Sequence, residues 1–204
     1  AGISLVWAFR KQLGWTASSE ATPKAKAAAR KAVALDDTVA VAHYALALLM
    51  TWSDWDWAGA ESEFKRAIEL NPSFPDARAY YSHLLIIIGR PEEALAQGEK
   101  AVELDPLNPL IRSLYANGSL FYLHRYDEAI AQARIALRTS PDHLAAHYAL
   151  WYAYSNKGMY KEAFASAKVY LNSCYGNLDP AGALDRGYAE GGYPAALKRA
   201  ADAL

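Results

Sequence analysis

The sequence has little of what marks secreted, membrane-spanning or nucleic-acid-binding proteins. Its one cysteine, Cys174, excludes an internal disulfide framework. The longest apolar runs, Tyr44–Met50 and Leu84–Ile88, fall far short of the ~20 residues that span a bilayer. Lys and Arg number 21 against 22 Asp and Glu, so the chain lacks the positive charge that binds phosphate backbones. We therefore expect no membrane span, no nucleic-acid partner for this stretch, and a cytoplasmic location.

Catalytic motifs are also missing. The sequence contains no G-x-S-x-G, no glycine loop that would cradle a phosphate and no Cys/His pairing. Acidic pairs such as Glu92-Glu93 and Asp127-Glu128 stand at predicted helix starts, where carboxylates favour the helix dipole. These observations predict a protein that is not an enzyme and that holds no cofactor or metal.

What the sequence does contain is a repeat. Pro72, Pro106 and Pro141 lie 34 and 35 residues apart. Each of the first two prolines precedes a helix-like segment, a short break and a second helix, and such a period indicates stacked helical hairpins. The hydrophobic fraction of 53% is ample for a continuous core.

The period divides the chain into six repeats that form a single array. Their predicted bounds are 1–36, 37–71, 72–105, 106–140, 141–174 and 175–204, the last being a less regular capping pair. Repeat two differs in its connection, Ser53–Trp57, which is one residue longer than that of repeat three and more aromatic.

Repeats two to five resemble the tetratricopeptide repeat family. The resemblance rests on a break of the type G-x-Y/P-x-E-A, complete in Gly89–Ala94 and Gly158–Ala163, and on alanines seven apart in the second helix, as at Ala129 and Ala136. The resemblance implies an all-α, right-handed superhelical solenoid of about six hairpins that binds a protein or peptide segment.

In this family the first helices of the repeats line a concave groove. The resemblance therefore implies a groove lined by Tyr44, Leu48, Trp52, Ala79, His83, Ile87, Ser113, Asn117, Phe121, Tyr148, Tyr152 and Asn156. Within each first helix these residues are four apart and form one stripe, which can serve either packing or recognition. The groove lacks a Lys and Arg cluster, so an extended or helical apolar segment fits it better than a carboxylate terminus.

A narrower resemblance concerns the segments Asp54–Ala60, Phe64–Pro72 and Pro23–Ala29. They are similar to the repeat tails of bacterial signalling proteins, in which the array follows a winged-helix, nucleotide cyclase or protein kinase domain. Because the first residues read as the inside of a helix, we expect the chain to be a fragment whose effector domain lies upstream of Ala1.

Three alternatives stay open at this stage. The chain could be a self-association module that forms a homodimer rather than a partner-binding one. Trp55 and Trp57 could form a recognition edge or cover the gap between the first two repeats, and we favour the covering role. His143 and His147 have metal-ligand spacing, but His147 corresponds to His43 in repeat two, which favours a structural role.

Overall fold

The computed structural model describes residues 1–5 and 18–204, except for the side chain of residue 18. Most of the predicted helix over residues 3–13 therefore lies outside the described residues. The chain forms two compact units, Ala1–Leu104 and Asp105–Leu204, which we call the N-terminal and C-terminal units. Their boundary falls where repeats three and four were predicted to meet.

The N-terminal unit contains the two complete hairpins of repeats two and three. Its helices are α1 (Ser18–Leu35), α2 (Ala40–Leu49, continued by a π-helical turn over Met50–Asp54), α3 (Trp57–Leu70), α4 (Pro75–Ile87) and α5 (Pro91–Leu104). Pro75 stands at the first position of α4, where its missing N–H costs no helical hydrogen bond.

The core of the N-terminal unit includes one face of α3. Ala60, Phe64 and Ala67 are fully buried. The Phe64 ring stacks on that of Tyr81 with centroids 5.8 Å apart. Alanine methyl groups at the two flanking positions let the neighbouring helices approach this ring closely.

The C-terminal unit contains repeats four to six. Its helices are α6 (Pro109–Tyr115, continued by a π-helical turn over Ala116–Leu120), α7 (Tyr126–Thr139), α8 (Leu144–Asn156), α9 (Tyr160–Tyr175, followed by a 3-10 turn over Gly176–Leu178) and α10 (Pro180–Asp202). Helix α10 is broken at Gly191 and Gly192, where the backbone leaves the helical region. The break divides it into the two limbs that the sequence predicted for repeat six.

One residue in each hairpin connection of repeats two to five has a left-handed backbone. These turn residues are Trp55, Gly89, His124 and Gly158, with φ between 56° and 77°. The interval from the start of the repeat to the turn residue is 18 residues in repeats two and four and 17 in repeats three and five. The two longer repeats are those with a π-helical turn in the first helix, so each π-helical turn absorbs one inserted residue.

A repeated hydrogen bond closes the start of each of these repeats. The side chain six residues after the start donates to the carbonyl oxygen of the first residue. The pairs are His43 Nε2 with Asp37 (2.9 Å), Arg78 Nε with Pro72 (3.2 Å), Arg112 Nε with Pro106 (2.6 Å) and His147 Nε2 with Pro141 (2.9 Å).

Three of these four side chains also contact one position of the second helix. Glu63 meets His43 Nδ1 at 2.6 Å, Gln97 meets Arg78 at 2.9 Å and Gln132 meets Arg112. The aligned residue of repeat five is the shorter, buried Ser166. Repeat five therefore keeps the contact at its start and lacks the contact to its second helix.

Candidate partner-binding surfaces

The predicted stripe of repeat two is divided between core and surface. Tyr44 is buried, with its ring centroid 5.1 Å from that of Phe74 and 6.0 Å from that of Tyr80. Burial, followed by the nearby Tyr80, raises the pKa of its hydroxyl. Leu48 is half-buried against the same cluster, and Trp52 is 41% exposed with its ring edge-on to Tyr80 at 5.8 Å. Packing is thus the role of Tyr44, while Trp52 reaches the surface.

The stripe of repeat three presents one apolar side chain to solvent. Ile87, at the end of α4, is 42% exposed, and His83, one turn earlier, is half-buried. Ala79, a further turn back, is buried. The exposed part of the stripe therefore lies near the connection to the second helix.

The stripes of repeats four and five meet in an aromatic group. Phe121 and Tyr152 pack edge to face with centroids 4.9 Å apart, and Tyr152 and Tyr148 are 5.2 Å apart. Tyr148 also lies 5.3 Å from Tyr170 of α9. Burial, followed by the adjacent Tyr152, raises the pKa of the Tyr148 hydroxyl.

A cavity of about 220 Å³ opens beside this aromatic group. We call it the aromatic cavity, and its lining residues are Ala116, Asn117, Phe121, Tyr122, Ala129, Tyr148, Ala149, Tyr152 and Ala153. The four alanines are all buried, whereas Tyr122 and Tyr152 are 59% and 41% exposed. The buried methyl groups thus form the base of the cavity, and the exposed aromatic rings form its rim. None of the lining side chains carries a charge.

The two predicted asparagines hold helices in place. Asn117 lies in the π-helical turn, and its Nδ2 donates to the carbonyl oxygen of Ala145 in α8 at 3.0 Å. Asn156 donates to the carbonyl oxygen of Tyr152 at 2.9 Å and accepts from the Tyr126 hydroxyl at 3.4 Å. Ser113, the other polar member of this stripe, is buried and donates within α6 to the carbonyl oxygen of Pro109.

The histidine pair has the structural contact that the repeat alignment predicted. His147 donates to the carbonyl oxygen of Pro141 just as His43 donates to that of Asp37. The Nδ1 atom of His147 and the Nε2 atom of His143 are buried without a partner among the described residues. Burial, followed by the neighbouring His147, lowers the pKa of His143. In the part of the chain that the structure describes, no three metal-ligating side chains come together.

The two indoles in the connection of repeat two differ in exposure. Trp55 is 68% exposed and Trp57 is 39% exposed. The two rings pack edge to face with centroids 6.4 Å apart. Trp55 is thus mostly exposed, whereas more than half of Trp57 is buried. The covering role concerns contact with repeat one, most of whose first helix lies outside the described residues, and it stays a prediction.

Sequence reasoning missed Tyr122 and the alanine base of the aromatic cavity. A regular helical period places Tyr122 one position beyond the predicted stripe, but the inserted residue in the π-helical turn rotates the end of the first helix. The extra residue in repeat four was a signal that could have found it.

Comparison with known proteins identifies the repeats. Residues 52–118 and residues 119–179 each match a model of the tetratricopeptide repeat. No curated protein matches the chain significantly. Within the described residues, no helix combines the length and the apolar character needed to cross a membrane.

Solved structures show the same fold at low sequence identity. A thermophilic tetratricopeptide repeat protein of Thermus thermophilus has a TM-score of 0.73 and 18% identity over 99% of this chain and 97% of its own. The type IV pilus biogenesis factor PilW has a TM-score of 0.71 and 19% identity over 95% and 90%. YrrB, described as having an unusual peptide-binding site, has a TM-score of 0.56 and 22% identity over 76% and 79%.

Proposed function

Since the chain belongs to the tetratricopeptide repeat family of protein-interaction modules, we propose that the first helices of its repeats bind an apolar segment of a partner protein without catalysing a reaction. In the C-terminal unit the segment inserts a side chain into the aromatic cavity. The segments similar to bacterial signalling tails support a regulatory role within a larger cytoplasmic protein.

The observation that carries this proposal is the composition of the aromatic cavity. Buried alanines leave room at the base, and the half-exposed rings of Phe121 and Tyr148 stand above them. Aromatic side chains lose little conformational entropy on binding because they have only two rotatable side-chain bonds. A side chain that enters the cavity exchanges water contacts for methyl and ring contacts on several sides.

The absence of charge in the lining selects among partner segments. A carboxylate or ammonium group in the cavity would lose its hydration without gaining an ion pair, which is costly. The hydroxyl groups of Tyr148 and Tyr152 can hydrogen-bond the backbone of the segment at the rim. We therefore expect an apolar or aromatic anchor side chain on an extended or helical backbone. YrrB, which is described as having a peptide-binding site, supports a peptide as the ligand.

The proposal is tested with an array of ten-residue peptides that vary one central anchor among apolar and charged residues. The best binder is labelled with fluorescein, and its Kd is measured by anisotropy against Tyr152→Ala and against Tyr148→Ala combined with Asn117→Ala. We expect a loss of roughly tenfold or more, because anchor contacts typically contribute about 2 kcal/mol. The control is Tyr175→Ala, whose side chain is 42% exposed and does not line the cavity.

Equal affinity in the wild type and the cavity variants, with unchanged circular dichroism, would refute the proposal. Light scattering across concentration addresses self-association. A stable dimer that Tyr152→Ala dissociates would assign the cavity to a second copy of the chain instead.

A further inference from the structure

The backbone at Trp55 is unfavourable for its residue type. Its φ of 57° and ψ of 23° lie in the left-handed region, where repeats three and five have Gly89 and Gly158. A residue with a Cβ atom is disfavoured in this conformation, and large side chains are uncommon there. Repeat four also has a residue other than glycine at this position, His124, which serves below as the matched control.

The Trp55 side chain is more exposed than those of Trp52 and Trp57. Trp55 is 68% exposed, and Trp57 stands edge-on to it with 39% exposure. The ring faces left open to solvent can take up a flat or cationic group. We call Trp55, Trp57 and their neighbours Asp54 and Asp56 the tryptophan edge.

The two aspartates differ in how their charge is used. Asp54 forms an ion pair with Lys26 of α1. Asp56 caps α3, accepting through Oδ1 from the backbone N–H of Gly59 at 3.0 Å. Among the described residues, no Lys, Arg or His forms an ion pair with Asp56, whose carboxylate is exposed beside the cap. A mostly exposed indole and a partly exposed one thus stand beside a carboxylate that has no ion pair within the described part of the chain.

This combination discriminates between partner chemistries. A purely apolar surface that covered the indoles would also remove water from the Asp56 carboxylate without replacing its hydrogen bonds. A guanidinium or ammonium group meets both needs, since it binds the face of an indole and pairs with a carboxylate. Arg fits best because its planar group stacks on the ring while its N–H groups point outward.

We propose that the tryptophan edge binds a basic segment of a partner protein, with an Arg side chain against the Trp55 indole and the Asp56 carboxylate. The surface shares no residue with the aromatic cavity. The outcome of its test is therefore independent of the function proposed for that cavity.

The probe is a fluorescein-labelled peptide of alternating Arg and Gly, with Lys-Gly and Glu-Gly peptides of equal length for comparison. Anisotropy titrations at low and physiological salt give the affinities. We expect the order Arg, then Lys, with no binding of the Glu peptide. If all three bind alike, or the Arg peptide does not bind, the proposal is wrong.

The decisive variant is Trp55→Gly. It removes the indole and also relieves the left-handed backbone, so affinity and stability should move in opposite directions. We expect Arg-peptide binding to weaken by roughly two- to thirtyfold, the range of a cation–π contact, while the thermal midpoint stays equal or rises. The matched control is His124→Gly, which relieves the same backbone position in repeat four and should leave Arg-peptide affinity unchanged.

A second variant separates charge from shape. Asp56→Asn keeps a side chain that caps helices well and removes the negative charge. We expect near-native stability with weaker binding of the Arg peptide. Unchanged affinity in Trp55→Gly or in Asp56→Asn refutes the proposal. Binding of neutral phosphatidylcholine vesicles that depends on Trp55, in place of the peptide, would instead identify a bilayer-surface contact.

Discussion

Replacing Glu61 with Gln is expected to destabilise the N-terminal unit at pH 7 and to have less effect in acid. The Glu61 carboxylate receives Lys65 and Arg90 at 2.8 Å each, and the Tyr81 hydroxyl donates to it at 2.8 Å. The bond from Lys65, followed by those from Arg90 and Tyr81, lowers the pKa of Glu61 from 4.5 to about 2. The side-chain amide of the Glu61→Gln variant could still accept hydrogen bonds but would lack the charge that strengthens them.

The magnitude follows from the difference between the folded and unfolded pKa. Each pH unit of difference corresponds to about 1.4 kcal/mol, which sets an upper bound of about 3 kcal/mol for this carboxylate. Solvent screening of the exposed Lys65 reduces the expected loss to about 2 kcal/mol. Because the folded pKa is lowered, this stability is present above pH 4.5 and is lost as the pH falls towards 2.

The assay is urea unfolding of the wild type and Glu61→Gln by circular dichroism at pH 7, 4.5 and 3. Repeat arrays can unfold stepwise, so hydrogen exchange of α3 and α4 amides measures the local free energy of opening at the same time. The control is Glu69→Gln in the exposed pair with Arg66, which should change stability by less than about 0.5 kcal/mol. A stability difference for Glu61→Gln that is equal at pH 7 and pH 3 contradicts the linkage.

Three further substitutions test other contacts by their effect on the free energy of unfolding in urea. His124→Gly should stabilise the C-terminal unit by about 1 kcal/mol, because glycine tolerates the φ of 56° found there; a destabilisation would show that the ring contributes more than the backbone costs. Ser166→Gln should add about 1 kcal/mol by giving the buried Nδ1 of His147 a donor; without His147, in a His147→Ala background, the gain should vanish. Gly187→Ala should cost about 1–3 kcal/mol, since its Cβ would lie 2.5 Å from the carbonyl oxygen of Ala195; a neutral result would mean that the two limbs of α10 separate at little cost.

The sequence was sufficient to predict the helical hairpins, because their signals are local. Prolines at repeat starts exclude a continued helix, and the recurrent small residues mark the buried face of each second helix. The match of residues 52–179 to the tetratricopeptide repeat confirms the family that these signals indicated. The correspondence of His147 with His43 is also confirmed, since both close their repeats by the same hydrogen bond.

The candidate surfaces were harder to predict because they depend on neighbours from other helices. Tyr44 and Trp52 belong to one stripe in sequence, yet Tyr44 is buried beside the rings of Phe74 and Tyr80, whereas Trp52 is 41% exposed. Spacing alone does not distinguish these outcomes. The exposure of Trp55 was missed for a similar reason, since a longer connection can either fold back over a core or extend a turn into solvent.

The paired insertions in repeats two and four have a consequence for how this chain can be recombined. In repeats two to five, hairpins with a π-helical turn alternate with hairpins that lack one. Hairpins of the same type therefore start 69 residues apart, as at Asp37 and Pro106 and at Pro72 and Pro141. Deleting or duplicating 69 residues keeps the alternation of hairpin types, whereas deleting a single hairpin places two of one type in succession. The double hairpin is therefore the unit that can be deleted or duplicated in this chain without changing the order of hairpin types.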